Sequence, residues 1–303
     1  MVEASKTSEI KGKEERSLLT HYLTLHPDAP IDLHMHTTFS DGRWPAEQLI
    51  DFLATEGFAL VAVTDHDRVD KVAEIQQLGA ARNLTVLSGV EISTYWKGKP
   101  TDVLCYGFDP TQNELAPLTE RLSRQKTENA LEVYEELLRQ GYRFPRQEDV
   151  LASKGGKVQR AFDNIDLLRE HGYIKGWSDG HIILEKAGYR SIRPEMDETV
   201  EAAHKSNALC LIAHPGRREN GFTYYTPALL DELLAEIPMD GIELIHPYHS
   251  PEDIEMYREY AAQHNLLVST GSDSHSHPGR MPLKHRAEIS RRLLERLGIA
   301  ISA

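Results

Sequence analysis

Imidazole and carboxylate side chains recur at the ends of short apolar runs in this sequence, and their spacing suits metal binding. His34 and His36 follow one such run, and alternate residues of a strand lie on one face, so both rings can bind one ion. Imidazole and carboxylate together suit zinc, manganese or iron. The candidate ligands are His34, His36, Asp41, His66, Glu91, Asp102, His214, Asp273 and His275. Neighbouring ions of this kind clamp a phosphoryl group and lower the pKa of a bridging water.

Each of these motifs has an ordinary explanation when it stands alone. A single His-x-His pair is usually chance, the segment His214–Gly216 is typical of a turn, and Glu91 suits a salt bridge. Their occurrence in order, at the ends of successive predicted strands, is what predicts a metal site.

Short β-branched apolar runs alternate with helical patterns, which predicts a parallel α/β fold. The predicted strands are Ile31–His34, Leu60–Thr64, Thr85–Val90, Asp102–Tyr106, Ala208–Ala213, Gly241–Ile245 and Leu267–Thr270. Seven strands suit a (β/α)7 barrel better than an open sheet. In such a barrel the carboxyl ends of the strands meet at one mouth, where active sites lie.

Helix start signals precede several segments between these strands. Pro45 begins one predicted helix, which Gly57 ends. Thr226–Pro227 begins another, and Ser250–Asp253 combines an N-cap, a first-turn proline and a capping-box acid.

The alternation of strands and helices stops after Pro110, and the sequence up to about Pro194 is helical in pattern. An amphipathic stretch runs from Leu115 to Leu138, and Gly141 ends it. Further helices are predicted at Gln147–Ser153, Val158–His171 and Ser178–Lys186.

These patterns predict three regions. Residues 111–194 are expected to form an inserted helical cap, and residues 29–110 with 195–303 to form the barrel. Residues 1–28 are expected to be a tail with a short helix around Leu18–Leu25.

Composition and charge limit the kinds of molecule that the protein is expected to bind. The 303 residues are 40% hydrophobic and 27% charged, as in ordinary globular proteins. The net charge of −13 argues against holding long nucleic acid, unless bound cations reverse the field locally. No apolar run is long enough to span a membrane, and the polar start does not resemble a secretory signal. Cys105 and Cys210 are expected to be buried free thiols of a cytoplasmic protein.

The motifs resemble those of the PHP family, named for polymerase and histidinol phosphatase. The matching stretches are Asp32–Thr37 with Ser40–Gly42, Thr64–Asp67, Gly89–Ser93, Ala213–Arg217 and Gly271–His275. The resemblance implies a distorted seven-stranded β/α barrel that holds two or three divalent ions and hydrolyses phosphate esters.

The resemblance also implies how the ligands divide among the ions. The first ion would be bound by His34, His36, Glu91 and Asp273. Glu91 would bridge to a second ion, which is shared with His214 and Asp102. The third ion would be bound by Asp41, His66 and His275.

Asp102 departs from the family pattern, because the stretch that resembles Asp102–Phe108 usually begins with His. A carboxylate at this position favours a harder ion, and we expect Mn²⁺ before Zn²⁺ or Fe²⁺. The alternative is that Asp102 is a surface residue and that the second ion is bound weakly. The sequence leaves both open.

The helical insertion resembles the PHP branch of nucleoside 3′,5′-bisphosphate phosphatases and related 5′→3′ exoribonucleases. Val158–Arg160 and Gly188–Tyr189 resemble two short elements of that branch. The expected reaction is removal of the 3′-phosphate of a nucleoside 3′,5′-bisphosphate by a metal-bridging hydroxide. The expected partner is a small phosphorylated substrate, above all a nucleotide. Short RNA ends or another metabolite such as histidinol phosphate are the alternatives.

Individual roles follow from the expected mechanism. Catalytic roles are expected for Arg217, Asp273 and His275, and substrate contacts for Asp67, Arg160, Arg217 and His249. Arg217 would bind phosphate oxygens as a planar fork, and Arg160 would bind a second phosphate. The alternatives are a surface Arg217 that caps a turn, a solvated Arg160 on a helix, and a structural role for His249, as for His246.

Two other classes of function fit the sequence less well. A non-enzymatic PHP-like barrel predicts lost ligands, whereas nearly every ligand position is filled here. Metal-lined barrels that hydrolyse C–N bonds commonly use a carboxylated lysine as the bridge, and Glu91 occupies that position here. The phosphoesterase interpretation is therefore preferred.

Overall fold

The computed structural model describes residues 23–152, 155–277 and 279–303. The chain divides into two compact units, of which the first comprises Met1–Ala116 with Pro194–Ala303 and the second Pro117–Arg193. No helix in the described part of the chain is both long and apolar enough to cross a membrane.

The fold is mixed α/β. The strands are β1 (Thr24–Leu25), β2 (Pro30–Asp32), β3 (Leu60–Ala62), β4 (Thr85–Leu87), β5 (Gly89–Trp96), β6 (Lys99–Tyr106), β7 (Leu209–Ile212), β8 (Gly241–Ile245), β9 (Leu267–Thr270), β10 (His285–Arg286) and β11 (Ala300–Ile301). The helices are α1 (Ala46–Thr55), α2 (Val72–Ala80), α3 (Leu115–Arg139), α4 (Gln147–Val150), α5 (Ala161–Glu170), α6 (Trp177–Lys186), α7 (Met196–Lys205), α8 (Pro227–Glu236), α9 (Pro251–Gln263) and α10 (Arg291–Arg296).

The first described segment corrects one prediction. Thr24 and Leu25, the end of the predicted N-terminal helix, form β1 and pair in parallel with β11. Leu25 is buried in the main core, so strand pairing satisfies its backbone while its side chain is covered. The residues of that predicted helix before Leu23 lie outside the described part of the chain.

One sheet has four strands in the order β10-β2-β3-β4. Strands β2, β3 and β4 run parallel, as their apolar β-branched runs predict. Because β2 ends at Asp32 and β3 at Ala62, the segments that carry His34, His36 and His66 begin just beyond the strand ends.

The other sheet has five strands in the order β5-β6-β7-β8-β9, and it corrects the prediction of uniformly parallel pairing. The predicted strand Thr85–Val90 is divided between β4 and β5, and β5 pairs antiparallel with β6. Lys97 and Gly98 join them with φ values of +50° and +73°, the two successive positive values of a type I′ hairpin turn. Strand β6 also pairs antiparallel with β7.

Backbone hydrogen bonds join the two sheets at two places. On one side Leu33 N donates to Thr270 O at 3.1 Å, and on the other Asp67 N donates to Glu91 O at 2.9 Å. The loops after β2 and β9 therefore meet, as do those after β3 and the start of β5. These are the segments with the predicted ligands.

Helices pack their apolar faces against the sheets of the first unit. Helix α1 buries Leu49, Ile50 and Leu53, and its predicted start at Pro45 is confirmed. The predicted starts of α8 and α9 are also confirmed, since Thr226 and Ser250 each accept a hydrogen bond from the helix backbone.

The second unit is helical and has its own core. Leu137, Leu167 and Leu184 are among the buried side chains that pack there. Helix α3 covers the predicted amphipathic stretch, and Gly141 follows it with a φ of +96°. Helices α4, α5 and α6 occupy the other three predicted segments; α4 and α5 are shorter than predicted, and α6 begins one residue earlier.

Candidate metal centre

The segment after β2 places two imidazoles against two carboxylates in the interior of the first unit. His34, His36, Glu91 and Asp273 are all buried, and one ligand atom from each lies within 4.8 Å of the others. The Nε2 atoms of His34 and His36 are 3.1 Å apart and lie 3.0 Å and 3.1 Å from Glu91 Oε2. The structure thus brings together the residues predicted for the first ion.

The hydrogen bonds around these rings fit a bound cation. His34 Nδ1 lies 3.0 Å from the buried carboxylate of Glu243, so a neutral His34 would donate Nδ1–H there and present its Nε2 lone pair to the cluster. Burial opposes charge on His34, but Glu91, Glu243 and Asp273 raise its pKa well above the usual value, so without a cation a proton occupies this position. A divalent cation satisfies this set of imidazoles and carboxylates, and the ring oriented by a carboxylate is a common feature of metal sites.

A second group lies beside the first and is partly exposed. It comprises His36, Asp41, His66 and His275. His275 Nε2 is 3.3 Å from Asp41 Oδ1, and His66 Nε2 is 4.0 Å from Asp41 Oδ2. The buried Nδ1 of His36 makes no hydrogen bond to any described residue and is 3.8 Å from Asp41 Oδ1. These are the residues predicted for the third ion, together with a shared His36.

Glu91 lies between the first group and a third one. Its Oε2 faces His34 and His36, while its Oε1 is 3.0 Å from His214 Nε2. Asp102 Oδ2 is 3.5 Å from the same His214 nitrogen. Asp102 is only 1% exposed, so the alternative of a surface residue is wrong. This arrangement fits the predicted bridging position of Glu91.

The pKa values show how strongly these groups depend on one another. Burial lowers the pKa of His214, but Asp102 and Glu91 outweigh it and raise that pKa to about 9. Burial also opposes charge on His275, yet Asp273 and Asp41 raise its pKa to about 11. The imidazoles and carboxylates therefore form buried ion pairs. A cation that binds among them would displace protons from the imidazoles.

Strand β8, which supplies none of the predicted ligands, provides a positioning carboxylate. Glu243 Oε1 accepts from His34 Nδ1, and its Oε2 accepts from the backbone N–H of His214 at 2.8 Å. Burial would raise the pKa of Glu243, but the charge of His34 and its hydrogen bond hold that pKa at about 2. Sequence reasoning missed this role, although a single acid inside a buried apolar strand was the available signal.

His246 orients Asp273 in a similar way. Its Nδ1 accepts from Tyr248 N at 3.1 Å, so Nε2–H donates to Asp273 Oδ2 at 3.2 Å. Burial lowers the pKa of His246 to about 4, which keeps this ring neutral. Arg280 Nη1 also donates to Asp273 Oδ2, and Asp273 Oδ1 is left facing the imidazoles.

Two residues predicted to contact substrate are engaged by the protein itself. His249 is buried, its Nε2 accepts from Gly216 N and its Nδ1–H donates to Leu244 O. Both ring nitrogens are thus used, and His249 supports the loop of His214, which fits the structural alternative; its contact with substrate stays a prediction. Asp67 Oδ1 likewise accepts from Ser93 N at 3.0 Å.

The two predicted substrate arginines occupy different units. Arg217 follows His214, and its guanidinium carbon lies 3.8 Å from the centre of the Phe222 ring. Arg160 lies in the second unit before α5, where its N–H donates to Asp163 Oδ2 at 2.8 Å. Its contact with a second phosphate stays a prediction.

Backbone strain marks two of the predicted ligands. His214 has a φ of +31° and Asp273 a φ of +50°, in the left-handed region that few non-glycine residues enter, although Asn, Asp and His enter it more often than others. Non-glycine residues held there cluster at active sites, because the surrounding structure compensates for the strain.

Comparison with known proteins identifies the family. The model of the PHP domain matches residues 32–302, nearly the whole described chain. The chain belongs to the PHP domain family. The predicted resemblance is therefore confirmed.

Several characterised relatives share this PHP domain at low identity. A 3′,5′-nucleoside bisphosphate phosphatase of Chromobacterium violaceum is 28% identical over 264 residues, covering 83% of this chain and 88% of the relative. The 5′-3′ exoribonuclease Rnm of Escherichia coli is 27% identical, with 80% and 84% covered. A phosphoribosyl 1,2-cyclic phosphate 1,2-diphosphodiesterase of Eggerthella lenta is 26% identical, with 83% and 96% covered.

Solved structures show the same fold. One, described as a metal-dependent phosphoesterase of Bifidobacterium adolescentis, has a TM-score of 0.72 at 24% identity, covering 89% of this chain and 98% of that one. Another, from Chromobacterium violaceum, has a TM-score of 0.66 at 25% identity, with 85% and 91% covered, and is described as an amidohydrolase with bound sulfate. Family, relatives and site together make this PHP protein a metal-dependent phosphoesterase and hence a hydrolase.

Proposed function

We propose that this PHP protein hydrolyses a phosphate monoester of a small nucleotide, with the 3′-phosphate of a nucleoside 3′,5′-bisphosphate as the first candidate. The observation that supports this proposal most strongly is that two ligand groups share Glu91 and a third shares His36, which suits adjacent cations that bind a phosphoryl group. The bisphosphate phosphatase relative supports this substrate class.

The proposed cofactors are two or three divalent ions, with Mn²⁺ preferred. His34, His36, Glu91 and Asp273 would hold one ion, and the groups around His214 and Asp41 would hold the others. Four carboxylates in the ligand set favour a hard ion over Zn²⁺. Such ions would neutralise phosphoryl charge and activate water.

The protein's own residues supply position and further charge. Glu243 and His246 fix which atoms of His34 and Asp273 face the centre. His275 Nδ1–H donates to Asp273 O at 2.9 Å, which turns its Nε2 towards Asp41. Arg217 would bind oxygens of the reacting phosphoryl group through its planar fork.

A 5′→3′ exoribonuclease acting on short RNA is the second candidate, because the Rnm relative has nearly the same identity. The net charge of −13 opposes binding of long RNA, so this activity would be limited to chain ends.

Arg160 would distinguish bisphosphate from monophosphate substrates by binding the second phosphate. Arg160→Ala should raise KM for a bisphosphate far more than for a monophosphate, and equal effects would reject that role.

A panel of phosphate-release assays with Mn²⁺ tests the proposal. It should contain nucleoside 3′,5′-bisphosphates, mononucleotides, histidinol phosphate, 5′-phosphorylated RNA and a simple amide. We expect the highest kcat/KM with a bisphosphate.

His34→Ala and Asp273→Ala should abolish turnover while the circular-dichroism spectrum stays near native. Turnover retained in these variants, or turnover of the amide alone, would contradict the proposal.

A further inference from the structure

Two arginines lie over one tyrosine ring at the edge of the metal centre. The guanidinium carbon of Arg280 is 4.6 Å from the centre of the Tyr248 ring, and that of Arg217 is 5.3 Å away. Tyr248 is half-buried in the loop after β8, two residues beyond His246. A guanidinium held over an aromatic face keeps its N–H edges available for an anion.

The guanidinium of Arg217 has a donor that is not satisfied by any described residue. Its Nε is buried without a hydrogen bond to any described residue, and it lies 3.9 Å from the carboxylate oxygen Oε2 of Glu219. Phe222 fixes the plane of the guanidinium. A buried donor without an acceptor is costly, and an anionic ligand at this position would satisfy it.

Arg280 lies outside the sequence motifs that predict the site. Its Nη1 donates to both the side chain and the backbone carbonyl of Asp273, and the side chain is 27% exposed. A guanidinium carries five N–H donors in a fixed fork, so donors remain for a second anion. Arg280 therefore borders the cluster on the Asp273 side, as Arg217 does on the His214 side.

The aromatic rings that hold these arginines also touch imidazoles of the centre. Phe222 packs edge-on to His214 at 5.5 Å between ring centres, and Tyr248 lies 5.1 Å from His246. The two guanidiniums are thus fixed relative to the predicted ligands. In a protein with a net charge of −13, two cations held at this edge select for an anion there.

We propose that Arg217 and Arg280, spaced by Tyr248, form a two-arginine site for the phosphoryl dianion of the substrate. This proposal rests on the proposed phosphoesterase function, and it adds Arg280 and Tyr248 to the residues that recognise the phosphate. Arg280 donates to phosphoryl oxygens from the Asp273 side. Tyr248 sets the distance between the two guanidiniums.

Binding of inorganic phosphate to the Mn²⁺-loaded protein tests the site directly. Isothermal titration calorimetry should compare wild type with Arg280→Gln, Tyr248→Leu and the control Arg258→Gln. Arg258 lies exposed on α9 and pairs with Glu255, so the control removes the same charge away from the centre. We expect phosphate affinity to fall roughly tenfold to a hundredfold in the first two variants and to be unchanged in the control.

Elemental analysis of the same samples separates phosphate binding from a merely structural role. The proposal requires that Arg280→Gln and Tyr248→Leu keep wild-type Mn²⁺ content. Wild-type phosphate affinity in Arg280→Gln would overturn it. Loss of Mn²⁺ in that variant would also overturn it, since Arg280 would then act by holding Asp273. If the wild-type protein binds phosphate through these arginines but hydrolyses no ester, the result would support the two-arginine site and reject the proposed function.

Discussion

At the scale of single residues, the positions of the ligand atoms depend on side chains that do not themselves face the cluster. Glu243 bonds the ring of His34 and the backbone of His214, residues that belong to different ligand groups. His246 donates to one oxygen of Asp273, and the other oxygen faces the imidazoles. A carboxylate partner such as Glu243 makes its imidazole more basic, and both kinds of partner fix the orientation of the ligand.

Replacing Glu243 with Gln should weaken metal binding roughly tenfold to a hundredfold. The amide is neutral, so it makes His34 less basic, and its NH₂ cannot accept from His214 N. Competition titration with a chromogenic chelator measures the change in affinity. Glu259→Gln, an exposed site on α9, removes the same charge and should bind as wild type. Equal affinities for the Glu243 and Glu259 variants would remove the positioning role.

Metal affinity should rise with pH. The pKa of His214 is raised to about 9 in the metal-free protein, so below that pH a cation must displace a proton from this ring. Affinity should therefore increase between pH 6 and 9 and should rise further up to about pH 11, where His275 also loses its proton. Titrations in buffers of different ionisation enthalpy would count the released protons. Affinity that is constant over this range would show that His214 is not a ligand.

At the scale of elements, the sequence predicts which strands end at the site better than it predicts how the strands pair. The runs that precede His34, His66, His214 and Asp273 form β2, β3, β7 and β9 close to the expected positions. The hairpin of β5 and β6 was missed because its turn, Lys97–Gly98, lacks the common Asn-Gly or Asp-Gly signal.

Some roles could not be predicted because they depend on contacts between residues far apart in the sequence. Glu243 and His34 are 209 residues apart, and nothing in either local pattern predicts that they meet. Whether His249 contacts substrate or supports the fold depends on partners such as Gly216, which lies 33 residues away. Residue types therefore predicted the metal chemistry, whereas roles in support of it required the fold.

Gly271 directly follows β9 and packs against His34 and Glu243. A Cβ added there would lie 2.2 Å from His34 Cβ and 2.7 Å from Glu243 Oε1. Gly271→Ala should thus cost about 1–3 kcal/mol of stability and should lower metal affinity by displacing both residues. Chemical denaturation and metal titration check the two effects. Gly176→Ala, whose Cβ would meet no atom within 4 Å, is the matched control, and equal behaviour of the two variants would contradict the argument.

At the scale of the whole molecule, negative charge and metal sites are concentrated in the same unit. All nine predicted ligands lie in the first unit, and the helical second unit has a separate core. Buried carboxylates such as Glu91 and Asp102 are balanced by charged imidazoles when no cation is bound. Cations that bind the folded state but not the unfolded chain must then stabilise the first unit.

Removal of metal should accordingly lower the thermal stability of this PHP protein. At Mn²⁺ concentrations a hundredfold above Kd, each occupied site contributes about 2.7 kcal/mol, which corresponds to several degrees in Tm. Differential scanning calorimetry with chelator and with added Mn²⁺ measures the shift. The double variant His34→Ala/Asp273→Ala should lose most of it, because two ligands of the first group are absent. If the variant gained as much stability from Mn²⁺ as wild type, the ion would be acting on the surface of a protein whose charge of −13 attracts any cation, and the buried cluster would not be the site.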